Sequence, residues 1–274
     1  MTGAPLGTRF WRALVAPPPV RTVAGPLPGE LAALGYTVRE RFLAGLLGGQ
    51  LPPRPRHAQE SAPLRASIAW HGITRFLDEL ADTDFSFEDL VEADLAGALM
   101  QRATLTRADL TRARLHGADL TEATLRDAVL AGADLTMTNL ARADLTGATL
   151  TNADLSDAIL SDATLSGCSL VSATLTRADL ADSRLISADL SQSGLSEANL
   201  HRANLHEAQL QDADLSGANL LGASLGRARL GGARWSTRTT WPAAVLHTVR
   251  ERSEQIAPGI FQIRTGPAFF LASG

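Results

Sequence analysis

The sequence predicts an all-β solenoid whose chain turns four corners in every coil, and three observations predict it. A five-residue register runs from Phe85 to Trp235 without insertion or deletion, and leucine fills 28 of its 31 centres. The position two before each centre is alanine in 25 of the 31. All 13 prolines lie outside residues 64 to 241, as a ladder that uses backbone N–H donors requires.

Five is the period of neither regular element. On a helix, a leucine at every fifth position rotates by about 140° per step and smears around the cylinder. On a flat strand an odd period alternates the leucines between faces. In a short extended piece, by contrast, residues two apart share a face, so each alanine and leucine look inward while the residue between them looks out. The remaining two residues must then turn the chain. With corners near 90°, four repeats close a square and twenty residues make one coil.

Charges test that spacing, because positions twenty apart stack about 4.8 Å from one another. Two places after the centre, one column reads Asp82, Arg102, Glu122, Arg142, Asp162, Asp182, Arg202, with opposite signs at every step except Asp162 to Asp182. The other columns place Arg107 over Asp127, Glu207 over Arg227, Glu92 over Arg112, and Asp157, Arg177, Glu197 in series.

"ANLHRANLHEAQLQDADLSGANL", residues 198–220, resembles the pentapeptide repeat family, whose pattern is Ala, then Asp or Asn, then Leu, then two variable residues. The resemblance implies a right-handed quadrilateral β-helix. Residues 83–237 form that expected rod. A solenoid's ends expose apolar edges and need caps. Residues 1–82 read as a helical, Pro-rich N-terminal extension and cap, and residues 238–274 as a C-terminal helix and tail.

Within the extension, "PGELAALGYTVRERFLAGLLGGQ", residues 28–50, suggests an amphipathic helix, read as a second packed cap, a partner-binding helix or a membrane-surface helix. Residues 61–81 predict a helix with Ser61 at its N-cap, Pro63 in its first turn, and Leu64, Ile68, Ile73, Phe76, Leu77 and Leu80 on one side. After Trp235, a helix is predicted to open near Pro242 and close before Pro258, with Val245, Leu246, Val249 and Ile256 as its apolar face. The tail offers Ile260, Phe261, Ile263, Phe269 and Phe270, either to pack on that helix or to form an oligomer seam.

Composition narrows the function. The chain is 45% hydrophobic but only 5% aromatic, which suits a narrow stacked core. The lone Cys168 sits at an inward small-residue site, which excludes an intrachain disulfide and argues for packing. No stretch approaches a membrane span and the N-terminus lacks a continuous apolar signal region, so the expected compartment is cytoplasmic. His116, His201 and His206 stand in different columns, and His71 lies beside Trp70 on the predicted cap helix, so neither metal nor cofactor is expected. "GLLGGQ" lacks the lysine of a phosphate loop. No enzyme is expected.

What the rod offers is a surface. From 85 to 235 it carries 20 Asp or Glu against 12 Arg and no Lys, a net of −8, while the flanks carry 9 acidic and 13 basic residues, a net of +4. The reading is therefore a non-catalytic protein-interaction scaffold, with the acidic column Asp94, Asp134, Asp154 and Asp214 as candidate partner-binding residues and the N-terminal third choosing the partner. The resemblance implies a second reading, a DNA-mimicking binder of DNA gyrase and topoisomerase IV that confers quinolone resistance. It also implies homodimerisation through the C-terminal end, and no direct contact with nucleic acid. A rod of 31/4 coils would be about 37 Å long, and duplex DNA of that length carries roughly 22 charges.

Overall fold

The computed structural model describes residues 80–265, all within the second of the two units into which the chain divides, Pro63–Gly274. From Asp84 to Asp214, every fifth residue forms a parallel bridge with the residue twenty further along. A turn follows each centre, so one coil has four sides and four corners. The inward leucines and alanines are stacked into a continuous core, with Leu105 through Leu220 fully excluded from solvent.

Backbone accounting explains the repeat, and residues 108–112 illustrate it. Ala108 N–H closes the preceding corner on Leu105 O at 3.1 Å. Asp109 N–H reaches back one coil to Glu88 O at 2.9 Å, while Leu110 and Arg112 reach forward one coil to Val129 O at 2.7 Å and Ala131 O at 2.9 Å. The fifth donor, Thr111 N–H, has no backbone acceptor and bonds the Asp109 carboxylate at 3.0 Å. Four of the five amides thus belong to corners or ladder, which bars proline from those four positions of the repeat.

The corners carry a conformational demand. The residue two after each centre from Leu80 to Leu230 has a left-handed backbone, from Asp82 (φ 57°) to Gly232 (φ 80°), and most of these residues are not glycine. A positive φ at the third residue of a turn is the mark of type II, and bulky β-branched residues are strongly disfavoured there. Val, Ile and Thr are absent from that position throughout the repeats but frequent one place earlier, as in Val91, Thr111, Val171 and Ile186.

The inward departures from alanine are satisfied locally. The hydroxyl of Thr138 donates to Leu115 O at 2.8 Å, and those of Ser183 and Ser193 donate to Leu180 O and Leu190 O at 2.7 Å. Burial pushes the Cys168 thiol up to about 12, so it stays protonated at neutral pH.

Both ends of the rod extend beyond the 31 repeats. Ala81 and Asp82 form a corner closed by Thr83 N–H on Leu80 O, so Leu80 already sits in register and a helix reaching Ala81 is ruled out. The rest of that predicted helix, the one predicted within 28–50, and Phe269 and Phe270 lie outside the described residues. At the far end the ladder continues to Asn219 with Thr240, twenty-one residues apart, because one extra residue enters the last repeat. Trp241 then takes the place of a centre and is buried.

Thr239 absorbs that insertion. Its hydroxyl donates to Leu215 O at 2.8 Å and accepts the amides of Ser236 at 3.0 Å and Gly217 at 3.1 Å. Gly217 N–H, displaced from its usual carbonyl, also reaches Ser236 Oγ at 3.1 Å.

Strand β1 (Arg234–Ser236) belongs to the last repeat of the rod and precedes helix α1 (Ala243–Glu251), and strands β2 (Ser253–Ala257) and β3 (Ile260–Ile263) follow that helix. The three strands form an antiparallel sheet in the order β1-β3-β2. The predicted helix is thus corrected: it ends at Glu251, and Ile256 lies on exposed β2. Ser253 ends the helix by donating its hydroxyl to Val249 O at 2.6 Å while accepting Trp235 Nε1–H at 2.8 Å. Pro258 and Gly259 (φ 73°) then turn the chain, and β3 pairs with the rod's own β1. Trp235 stacks on Phe261 at 4.5 Å and meets Trp241 edge-on at 6.1 Å. Among the described residues, no helix is long and apolar enough to cross a membrane.

Two stability outcomes follow, readable by thermal melting with circular dichroism. Leu155→Ala is expected to lose about 2–5 kcal/mol, whereas Leu155→Asp abolishes the fold because a buried unpaired charge is prohibitive; unchanged melting of the Asp variant would remove Leu155 from the core. At the exposed left-handed corner Met137, Met137→Val is expected to be about 1–2 kcal/mol less stable than Met137→Gly, and equal melting of the two would refute the backbone demand.

Candidate functional site: the outward surface of the rod

The surface is built from three positions per repeat, the one before the centre and the two after it. The first of these is where aspartate is common, and its role is structural. At every Asp and Asn in that position the side-chain Oδ1 accepts the amide two residues on, the donor that the backbone leaves over. Where threonine follows a centre preceded by aspartate, its hydroxyl adds a second bond to the same oxygen, at Thr111, Thr121, Thr136 and Thr146, and Ser156 does the same. Such side-chain caps of turns are the known preference of Asp and Asn.

Asp119 and Asp144 show the electrostatic result. Burial alone would raise both carboxyls, but the Thr121 and Thr146 hydroxyls and amides outweigh it, joined by Gln101 on Asp119 and Arg126 on Asp144. Both carboxyls end below their ordinary value.

The second feature is the charge ladder at the corners. Arg102 donates through Nε and Nη2 to both oxygens of Asp82 at 2.7 and 2.5 Å, and Arg177 does the same to Asp157 at 2.8 and 2.6 Å. These forks are the first cause of the lowered Asp82 and Asp157 carboxyls and of the raised Arg102 and Arg177 guanidinium values. Arg107–Asp127, Arg112–Glu92, Arg142–Glu122, Arg202–Asp182 and Arg227–Glu207 repeat the twenty-residue pairing. Arginine's planar fork suits a carboxylate stacked one coil away better than a point-charge ammonium would.

The four aspartates singled out from the sequence do share one side. The ladder links Asp94, Arg114, Asp134, Asp154, Thr174, Gly194, Asp214 and Arg234 in one column. Asp94 is paired with Arg114 at 3.1 Å and Asp214 with Arg234 at 3.7 Å, which leaves Asp134 and Asp154 as its adjacent carboxylates. Each of the four also caps its own corner.

The histidines stay apart: His116 Nδ1 is 2.7 Å from Thr136 Oγ1, and His206 Nε2 is 3.6 Å from Glu207. No group of three or more His, Cys, Asp or Glu side chains among the described residues could hold a metal ion. The capping role of the aspartates was missed in the sequence, although their restriction to the position before the centre and their interchange with asparagine signalled it.

Residues 89–127 and 125–162 match a family model described as pentapeptide repeats, and residues 158–235 match one described as a pentapeptide repeat region. No curated protein matches the chain. Among solved structures it is similar to Rfr23, a pentapeptide repeat protein from the cyanobacterium Cyanothece 51142, with 38% identity, 36% of this chain and 63% of that one covered, and a TM-score of 0.26. It therefore spans less than two thirds of that relative's length. HetL of Nostoc sp. strain PCC 7120, a pentapeptide repeat protein involved in heterocyst differentiation regulation, is 35% identical, with 60% and 82% covered and a TM-score of 0.20. QnrB1, a plasmid-mediated fluoroquinolone resistance protein, is 17% identical, with 52% and 76% covered and a TM-score of 0.38.

Capping sets the expected pH response. A carboxyl lowered in the fold contributes stability that is complete well above its unfolded value of 3.8 and is lost as pH falls through the folded value, so acid melting should begin below about pH 5. Asp119→Asn keeps an acceptor and should melt close to wild type at pH 7, whereas Asp119→Ala should lose about 1 kcal/mol. Equal melting of the Asn and Ala variants would refute the cap.

Proposed function

Because this chain belongs to the pentapeptide repeat family, we propose that it is a non-catalytic protein-interaction scaffold working in the cytoplasm. The leucine core and the coil ladder supply a rigid rod, the outward positions supply a docking surface, and residues 1–60 choose the partner. In this reading α1 and the β2–β3 hairpin serve as the C-terminal cap and as the contact of a homodimer. The coil winds right-handed, as the family resemblance implies.

The observation that carries the reading is the commitment of the surface charges. The aspartates before the leucines cap corners, and most corner charges are neutralised pairwise. A rod built this way presents a regular, largely balanced surface. The second reading, a DNA mimic acting on gyrase or topoisomerase IV, draws its support from the net −8 of the repeats and from adjacent Asp134 and Asp154.

Asparagine substitution separates the two, since Asn139, Asn199, Asn204 and Asn219 cap corners as well as aspartate does. A protein carrying Asp94→Asn, Asp134→Asn, Asp154→Asn and Asp214→Asn keeps its caps and loses four charges. The scaffold reading expects purified protein to leave gyrase supercoiling unchanged at low and high salt. It also expects the partner to be retained by the four-Asn variant and lost on removal of residues 1–60. Salt-sensitive inhibition of supercoiling that the four-Asn variant abolishes would overturn it in favour of the mimic.

A further inference from the structure

We infer that the coil from Ile159 to Thr176 is a soft joint built into the middle of the rod, separating a stiff segment before it from a stiff segment after it. Two independent features converge there.

The first is the loss of corner caps. Ile159, Thr164, Ser169 and Thr174 occupy the position before the centre, where Asp or Asn would cap. The amides they would serve, Ser161, Ser166, Val171 and Thr176, have no protein acceptor among the described residues. Four successive corners make one full turn of the coil. Elsewhere among the described residues the longest run without an Asp or Asn cap is three, at Ser224, Arg229 and Arg234, where Ser236 N–H is taken by Thr239 Oγ1 instead, and the corners on either side of the Ile159–Thr176 coil are capped by Asp154 and Asp179.

The second is electrostatic. Asp162 stacks over Asp182, the one like-sign step among the corner columns. Arg142, its neighbour in the column, pairs with Glu122 at 3.2 Å and Arg202 with Asp182 at 3.1 Å, and Asp162 makes no ion pair among the described residues. From Ala163 to Thr176 the chain carries no charge, and the nearest corner ion pair, Arg177–Asp157, is made by residues just outside the coil.

The ladder and the leucine stack pass through unbroken. The coil is therefore folded like the rest but costs least to open, the condition for sub-global opening in a solenoid whose coils contact only their neighbours.

Such a joint lets the surfaces on either side change their relative angle without unfolding either segment. The inference is independent of who the partner is.

Peptide-resolved hydrogen exchange on the full chain tests it. The ladder amides of Leu160, Leu165, Leu170 and Leu175 are expected to exchange about tenfold faster than those of Leu120 to Leu135, the effect of losing roughly one hydrogen bond's free energy. In a variant carrying Thr164→Asp, Ser169→Asn and Thr174→Asn the difference should vanish, because three of the four caps are restored, a single uncapped corner remains as at Arg114 elsewhere in the rod, and Asp at 164 also faces Arg184 in its column. Thr164→Asp alone should remove part of it, and Val129→Asn, which adds a cap in a firm coil, should leave it intact. Uniform protection along the wild-type rod, or a difference that survives the triple variant, would overturn the joint.

Discussion

Everything in this rod depends on the hydrogen bond between one coil and the next. Leu110 N–H to Val129 O at 2.7 Å has its counterpart at nearly every centre, and along the repeats it recurs in register because each coil contains twenty residues. That count forces the chain to spend two residues in five on a corner, to place one of them in the left-handed region, and to leave one amide per repeat without a backbone acceptor. The packing of leucine on leucine then follows, since residues in ladder register stack their side chains as well. Burial of a leucine contributes about 1.5–3 kcal/mol, and here each one is repeated down a column.

The orphan amide links fold to surface. A backbone donor left without a partner is a cost that side chains can relieve, and Asp or Asn before the leucine relieves it. The acidic character of the rod is thus in large part a by-product of its architecture. A carboxylate engaged by an amide and a hydroxyl, as Asp109, Asp134 and Asp154 are, has less freedom to greet a partner than a solvated one. Arginine then compensates the corner charges coil by coil.

The C-terminal end shows how a repeat is stopped. One extra residue breaks the twenty-residue register, and Thr239 makes good the lost bonds through a single hydroxyl with one donor and two acceptor contacts. The chain then leaves the core through Trp241 and Pro242, and returns as β3 to pair with β1. The indole Nε1 of Trp241 is the one buried side-chain donor without a partner among the described residues.

The sequence by itself determined the coil. Leucine at every fifth place, alanine two before it and proline kept out admit a single closed geometry, and the alternating charges of Asp82, Arg102, Glu122 and Arg142 confirm its twenty-residue spacing without coordinates. Periodicity carries this information because the same bond recurs in each repeat. Only the tertiary structure decided what happens where the period fails. The six-residue last repeat is invisible to a five-residue count. The stretch Ser253–Ala257 reads as helix because Ile256 continues the spacing of Val249, yet pairing with Ile260–Ile263 makes it a strand. The role of the aspartates also needed the fold: an unpaired amide can be recognised only once all the other amides have been assigned.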